Sequence, residues 1–172
     1  MTKGSRRGFT LIELLVTMAV MAILTVITVA QFSTARAKAR DVARKGDLNS
    51  VSKALGMYFA DYGQYPEAVD GRISVDGSTA IAWGEELADK GYVYMKVLPQ
   101  ENSANQPPYC YATDTGRKKI ALLSTLENTQ DGEYNKFMAV FDPSASYNCN
   151  GNSGYHYIYF SPNASKDDFP HL

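Results

Sequence analysis

The chain has 172 residues and a net charge of -1, with 17 Lys and Arg set against 18 Asp and Glu, and it holds 12 tyrosines but only two cysteines and two histidines. A near-neutral balance excludes a dedicated nucleic-acid binder, whose domain would be strongly basic. The length leaves room for one domain once any targeting segment is set aside.

The first eight residues carry Lys3, Arg6 and Arg7, no acid, and end in Gly8. Residues 14–35 then carry no charge at all, and a helix needs about 20 residues to cross a ~30 Å hydrocarbon core. Leu, Ile, Val, Met and Ala lie on every face of this run, and Thr17, Thr25 and Thr28 are able to bond back to their own helix. Such a helix belongs in lipid or inside other protein. Glu13 is the exception near its start: a carboxylate at the centre of a membrane helix costs on the order of 2.5–3.5 kcal/mol, and less towards the end.

A buried carboxylate wants a cation, yet no Lys, Arg or His lies between Glu13 and Arg36. Cleavage after Gly8 would create one, the α-amine of Phe9, about 6 Å from Glu13 along the same helix. Other readings stay open on these residues. Glu13 could reach headgroup water, the run could be an uncut single-pass anchor, or it could be a secretory signal whose small-x-small cut falls at Ala35-Arg36-Ala37. Its length and its internal acid both speak against a secretory h-region. Charge counting leaves orientation undecided, because Arg36, Lys38, Arg40, Arg44 and Lys45 outnumber the basic residues of the leader.

The stretch Gly8-Phe9-Thr10-Leu11-Ile12-Glu13-Leu14-Leu15 resembles the leader and cleavage site of type IV prepilins and of type II secretion pseudopilins. The resemblance implies an α+β pilin fold, a long N-terminal helix packed on a small antiparallel sheet. It implies a leader at 1–8, a helix at 9–35 that is transmembrane and then filament core, its amphipathic half at 36–62, and a globular head at 63–172. A prepilin peptidase would cut between Gly8 and Phe9, and the new amine of Phe9 would be methylated. Glu13 would then meet the Phe9 amine of a neighbouring copy in a homopolymer, so that neither charge is left unpaired. The implied location is the inner membrane, single-pass with the N-terminus in the cytoplasm, and then an extracellular or periplasm-spanning filament. Its implied partners are a platform protein and an assembly ATPase, with DNA touched only indirectly, through uptake. Many family members carry a proline in the apolar half; Thr28, Val29, Ala30 and Gln31 stand in that neighbourhood here, so the implied kink has no residue to cause it.

Residues 9–62 contain no proline and read as one helix, interrupted only by Gly46 and Gly56. Leu48, Val51, Leu55, Tyr58 and Tyr62 recur at three- and four-residue steps, with Phe59 alongside, which predicts one apolar face. Residues 36–45 are expected to be a solvated stretch beside the membrane. Gly63, with Pro66 beyond it, ends the helix. Residues 67–99 read as a connection with turns at Asp70-Gly71 and Asp76-Gly77 around an extended piece at 72–75, followed by a short helix at 84–90 closed by Gly91. The run 91–99 resembles the family's approach to its first strand, and Trp83 is expected to be a local core anchor. A hairpin is predicted from strands at 109–113 and 119–126 around Asp114-Thr115-Gly116-Arg117. A loop at 127–134, a strand at 137–141 and a last strand at 155–160 complete the head, with Tyr155, Tyr157 and Tyr159 alternating against His156, Ile158 and Phe160.

Beyond residue 60 the composition turns to Tyr, Asn, Ser, Gly, Asp and Pro, which together with two cysteines fits an exported compartment that permits disulfides. A Cys110–Cys149 bridge would be worth ~4 kcal/mol; two free thiols are the alternative. His156 and His171 stand in no metal-binding spacing, and no phosphate loop or nucleophile elbow appears, so neither catalysis nor a cofactor is expected. Calcium is carried as an option: Asp142, Asn148, Asn150, Asn152, Asp167 and Asp168 offer oxygens, as in the C-terminal loops of the major pseudopilins resembled, in a spacing that is no EF-hand. Asn163-Ala164-Ser165 is a lone glycosylation match. The expected function is a structural subunit of a type IV pilus or pilus-like filament. The cysteine pair and the missing acidic calcium signature lean towards a pilus, against a secretion pseudopilin or a membrane-tethered binding module that does not polymerise.

Overall fold

The computed structural model describes residues 8–103, 106–140, 149 and 154–169, with the side chains of residues 27–31 and 137–140 outside that description. The chain divides into two compact units, Met1–Lys38 and Ala39–Leu172. Helix α1, Leu11–Tyr62, contributes to both.

In the first unit the helix exposes apolar side chains on all sides, Leu11, Met18 and Val26 among them. Fully burying a side chain of this kind is worth about 1.5–3 kcal/mol, so the unit is built for apolar surroundings that it does not supply itself. Thr17 and Thr25 donate to the carbonyls of Leu14 and Met21 at 2.9 and 2.7 Å, which hides their polarity within the helix. Among the described residues no helix is long and apolar enough to cross a membrane. The uncharged run 14–35 passes through residues 27–31, whose side chains are not described.

The second unit packs the remainder of α1 on strands. Leu48, Val51, Leu55 and Tyr58 of α1 are buried, as their spacing predicts, and Gly63 N donates to Phe59 O at 2.8 Å where the helix closes. Strands β1, Glu67–Val69, and β2, Arg72–Ser74, form one hairpin, and β3, Leu87–Asp89, with β4, Tyr92–Met95, another. Strands β5, Cys110–Thr113, β6, Ile120–Ser124, and β7, Tyr157–Phe160, make an antiparallel sheet in the order β5-β6-β7. In its register Cys110 stands opposite Leu123 and Ala121 opposite Phe160.

The central strand β6 is buried along its whole length. Its alternate side chains go to opposite faces: Ile120 and Leu122 join the core against α1, while Ala121 and Leu123 join a second cluster around Cys110, Cys149 and Phe169. Three tyrosines pin the layers, each burying a ring in the core and reaching a polar partner with its hydroxyl. Tyr94 donates to Asp61 at 2.8 Å, Tyr109 to Asp47 at 2.7 Å and Tyr111 to the carbonyl of Pro66 at 2.8 Å.

Three expectations from sequence are corrected. Residues 84–90 are not a helix: β3 begins at Leu87, and Lys90 and Gly91, with φ of 48° and 84°, form the tight turn into β4 that right-handed strand twist favours. The strand expected at 137–141 is replaced by helix α2, Gly132–Val140, which also shortens the loop expected at 127–134; Phe141 lies outside the described residues. Asp131 starts α2 by accepting the Glu133 N–H at 2.8 Å. Finally, the stretch 36–45 is not simply solvated, because Asp41 and Arg44 are 2% and 3% exposed.

Candidate functional site: the helix start and the Arg44 cluster

At the head of α1 the side chain of Phe9 is 85% exposed, and a Cβ built on Gly8 would meet nothing within 4 Å, so the Gly8–Phe9 peptide bond stands in the open. Thr10 and Glu13 form a capping box. Glu13 Oε2 accepts from Thr10 N at 3.1 Å and from Thr10 Oγ1 at 3.0 Å, and Glu13 N donates to Thr10 Oγ1 at 3.3 Å. Two helix-end donors are thereby satisfied reciprocally, Thr10 N by the very carboxylate that sequence reasoning singled out and Glu13 N by the Thr10 hydroxyl. The role was missed at that stage although Thr-x-x-Glu before an apolar run is its signature. One carboxylate oxygen carries both of these bonds, and among the described residues Oε1 has no donor.

In the second unit an ion cluster joins α1 to two loops. Arg44 donates from Nη1 to Asp41 Oδ1 at 2.8 Å, from Nε to Glu101 Oε2 at 2.6 Å and from Nη2 to Glu127 Oε1 at 2.7 Å. Arg40 also pairs with Glu127. Asp41 in turn accepts the backbone N–H groups of Glu127 and Asn128 at 2.9 and 2.8 Å, holding the loop that follows β6. The hydrogen bond from Arg40, with help from Arg44 and against the opposing effect of burial, holds the Glu127 carboxyl down at about 2. Burial disfavours the charged Arg44, but hydrogen bonds to Glu101 and Glu127 more than offset it and its pKa stands above the ordinary arginine value. No local pattern marks this cluster: Arg44 lies 57 and 83 residues from Glu101 and Glu127.

Cys110 and Cys149 form a disulfide, with Cα atoms 6.1 Å apart and both residues buried. It ties β5 to the segment before β7. Trp83 is buried edge-on to Tyr109, with ring centroids 5.7 Å apart. The His156 ring lies tilted against Tyr134, with centroids 4.9 Å apart, and burial lowers its pKa; His171 lies outside the described residues. Of the six oxygen donors weighed for calcium, Asp142, Asn148, Asn150 and Asn152 lie outside the described residues. Asp168 is taken up by Lys119 at 2.6 Å and by Ser165 N at 2.8 Å. Among the described residues no group of three His, Cys, Asp or Glu could hold a metal ion.

Comparison with known proteins places these features. The family model for the prokaryotic N-terminal methylation motif matches residues 3–29. A type II secretion system core protein G of Pseudomonas aeruginosa is 34% identical over 133 residues, 77% of this chain and 91% of that protein. The protein of the same name from Aeromonas hydrophila is 32% identical over 125 residues, 72% of this chain and 85% of its own length. No solved structure matches the chain. With likeness running through most of both relatives, head as well as helix, the chain belongs to the type II secretion system core protein G family of the type IV pilin superfamily.

Proposed function

We propose that the chain is a structural subunit of a type II secretion pseudopilus. One observation carries the choice over a surface pilus. The similarity to proteins named for type II secretion covers 133 residues, where the methylation motif alone covers 3–29, so the head contributes to it. The sequence-based lean towards a pilus, drawn from the cysteine pair and the absent calcium signature, gives way to that likeness.

On this reading residues 1–8 are a leader, and residues 9–35 cross the inner membrane once with the N-terminus in the cytoplasm. A prepilin peptidase cuts between Gly8 and Phe9 and methylates Phe9. The helix then leaves lipid for a bundle of identical helices, an exchange between surroundings of similar polarity that an ATPase and a platform protein can drive. Glu13 pairs with the Phe9 amine of an adjacent copy. The open Gly8–Phe9 bond and the unused Glu13 Oε1 are compatible with both steps. The role needs no cofactor and no catalytic residue.

Mass spectrometry of native protein is expected to find Phe9 as the first residue, carrying one added methyl group. Glu13→Ala is expected to leave the protein in the membrane with filaments lost or much reduced and protein secretion impaired. Normal secretion with surface pili lost would favour the pilus instead. Normal function in Glu13→Ala would favour a tethered module that does not polymerise, and a mature start near Lys38 would return the run to a secretory signal.

A further inference from the structure

In the first unit the apolar run ends in a cationic collar. Arg36 and Lys38 are both exposed, and no Asp or Glu stands between Glu13 and Asp41. Among the described residues neither cation has a hydrogen-bond or ion-pair partner. Asp41 is 2% exposed and is spent on Arg44 and on the Glu127 and Asn128 N–H groups. Arg40 is already paired with Glu127. The Arg36 guanidinium lies over the ring of Phe32, its Cζ 4.4 Å from the centroid. That contact occupies one face of the fork and leaves open its edge, where the N–H donors project. Phe32 is itself 56% exposed, so ring and guanidinium form an amphipathic pair on the helix surface.

From Glu13 to Arg36 is about 35 Å along a straight helix, against ~30 Å for a hydrocarbon core. With the apolar run in a bilayer and Glu13 near one face, Arg36 and Lys38 fall among the headgroups of the other. Long cationic side chains keep their stems on apolar surface and their charged ends at that level. Lys38, two residues on, projects from a different side of the helix, so the two cations meet separate lipids. Cations concentrate on the cytoplasmic side of membrane proteins, and two that lie on the translocated side without a protein partner call for an anion from their surroundings. The planar fork of an arginine matches phosphate oxygens through paired bonds, and a phosphatidylglycerol phosphate has no ammonium of its own to compete, as phosphatidylcholine has. We propose that Arg36 and Lys38 each hold the headgroup of an anionic phospholipid, in the leaflet opposite the N-terminus, until the helix leaves the bilayer. The site rests on the membrane-spanning reading of residues 9–35 and goes beyond it in the class of lipid bound.

Full-length protein carrying Lys3→Gln, Arg6→Gln and Arg7→Gln, which silence the cations of the leader, is held in an uncharged detergent. It is offered equal amounts of phosphatidylglycerol and phosphatidylcholine with the same acyl chains, and the bound lipids are counted by native mass spectrometry. A cation near the surface favours an anionic lipid about fivefold, so a ratio of roughly 25-fold towards phosphatidylglycerol is expected for two. Adding Arg36→Gln and Lys38→Gln, at side chains that are exposed and without a protein partner, should bring the two lipids close to parity. Arg36→Lys, which keeps the charge and loses the fork, should fall between. Equal uptake of the two lipids by the parent, a preference that survives the double substitution, or ready displacement of the lipid by inorganic phosphate would each overturn the proposal. Alkaline carbonate washing of membranes that carry the chain tests the anchor separately. A chain washed off overturns the spanning reading and the site together, whereas a chain retained without any lipid preference overturns the site alone.

Discussion

Arg44 spreads its donors over Asp41, Glu101 and Glu127, so that a guanidinium 3% exposed is matched by carboxylates on every side. Replacing it with Met removes the cation while leaving Asp41 and Glu101 buried. The expected loss is about 3–5 kcal/mol, read from urea unfolding of the full chain in micelles. Glu127 adds a pH dependence to the same site. Its folded pKa of about 2 lies below the unfolded value of ~4.3, so the unfolded chain binds the proton more readily. Its contribution is complete above about pH 5 and is lost as pH falls through the unfolded and then the folded value. A pH series of urea midpoints should show this acid limb, and Glu127→Gln should flatten it.

The hairpin of β3 and β4 shows an element deciding against the leaning of its residues. Glu85, Glu86, Leu87 and Ala88 are good helix formers, yet the Lys90-Gly91 turn, the backbone bonds from Gly84 N and Leu98 N, and a bulge at Leu87/Ala88 hold the segment extended. Gly91→Ala places a Cβ at φ 84° and is expected to cost about 1–2 kcal/mol, visible as faster amide exchange in β3 and β4. Helix α2 rests on its cap in the same way. Asp131 accepts Glu133 N and pairs with Lys45 at 2.8 Å, so Asp131→Ala should cost about 1 kcal/mol and fray the first turn of α2 in exchange measurements.

Across the whole molecule the covalent staple is Cys110–Cys149, which joins the edge strand β5 to the approach to β7. Reduction, or the paired change of both cysteines to serine, is expected to cost 2–5 kcal/mol and to lower the unfolding midpoint of the second unit. The first unit, with its apolar side chains in the open, should respond little, because the staple closes no loop within it. By itself the sequence determined one long helix read at 9–62, which the structure begins at Leu11, together with the buried face built from Leu48 to Tyr58, the β5–β6 hairpin and the Gly8-Phe9-Glu13 motif. Each of these is written in residues within a few turns of one another, as periodicity, capping and punctuation. Only the tertiary structure decided that Asp41 and Arg44 are buried, that 87–95 is a hairpin and that 132–140 is a helix. Those outcomes depend on partners such as Glu101 and Glu127, 57 and 83 residues from Arg44, whose approach is set by how the layers close and not by the local preference of either segment.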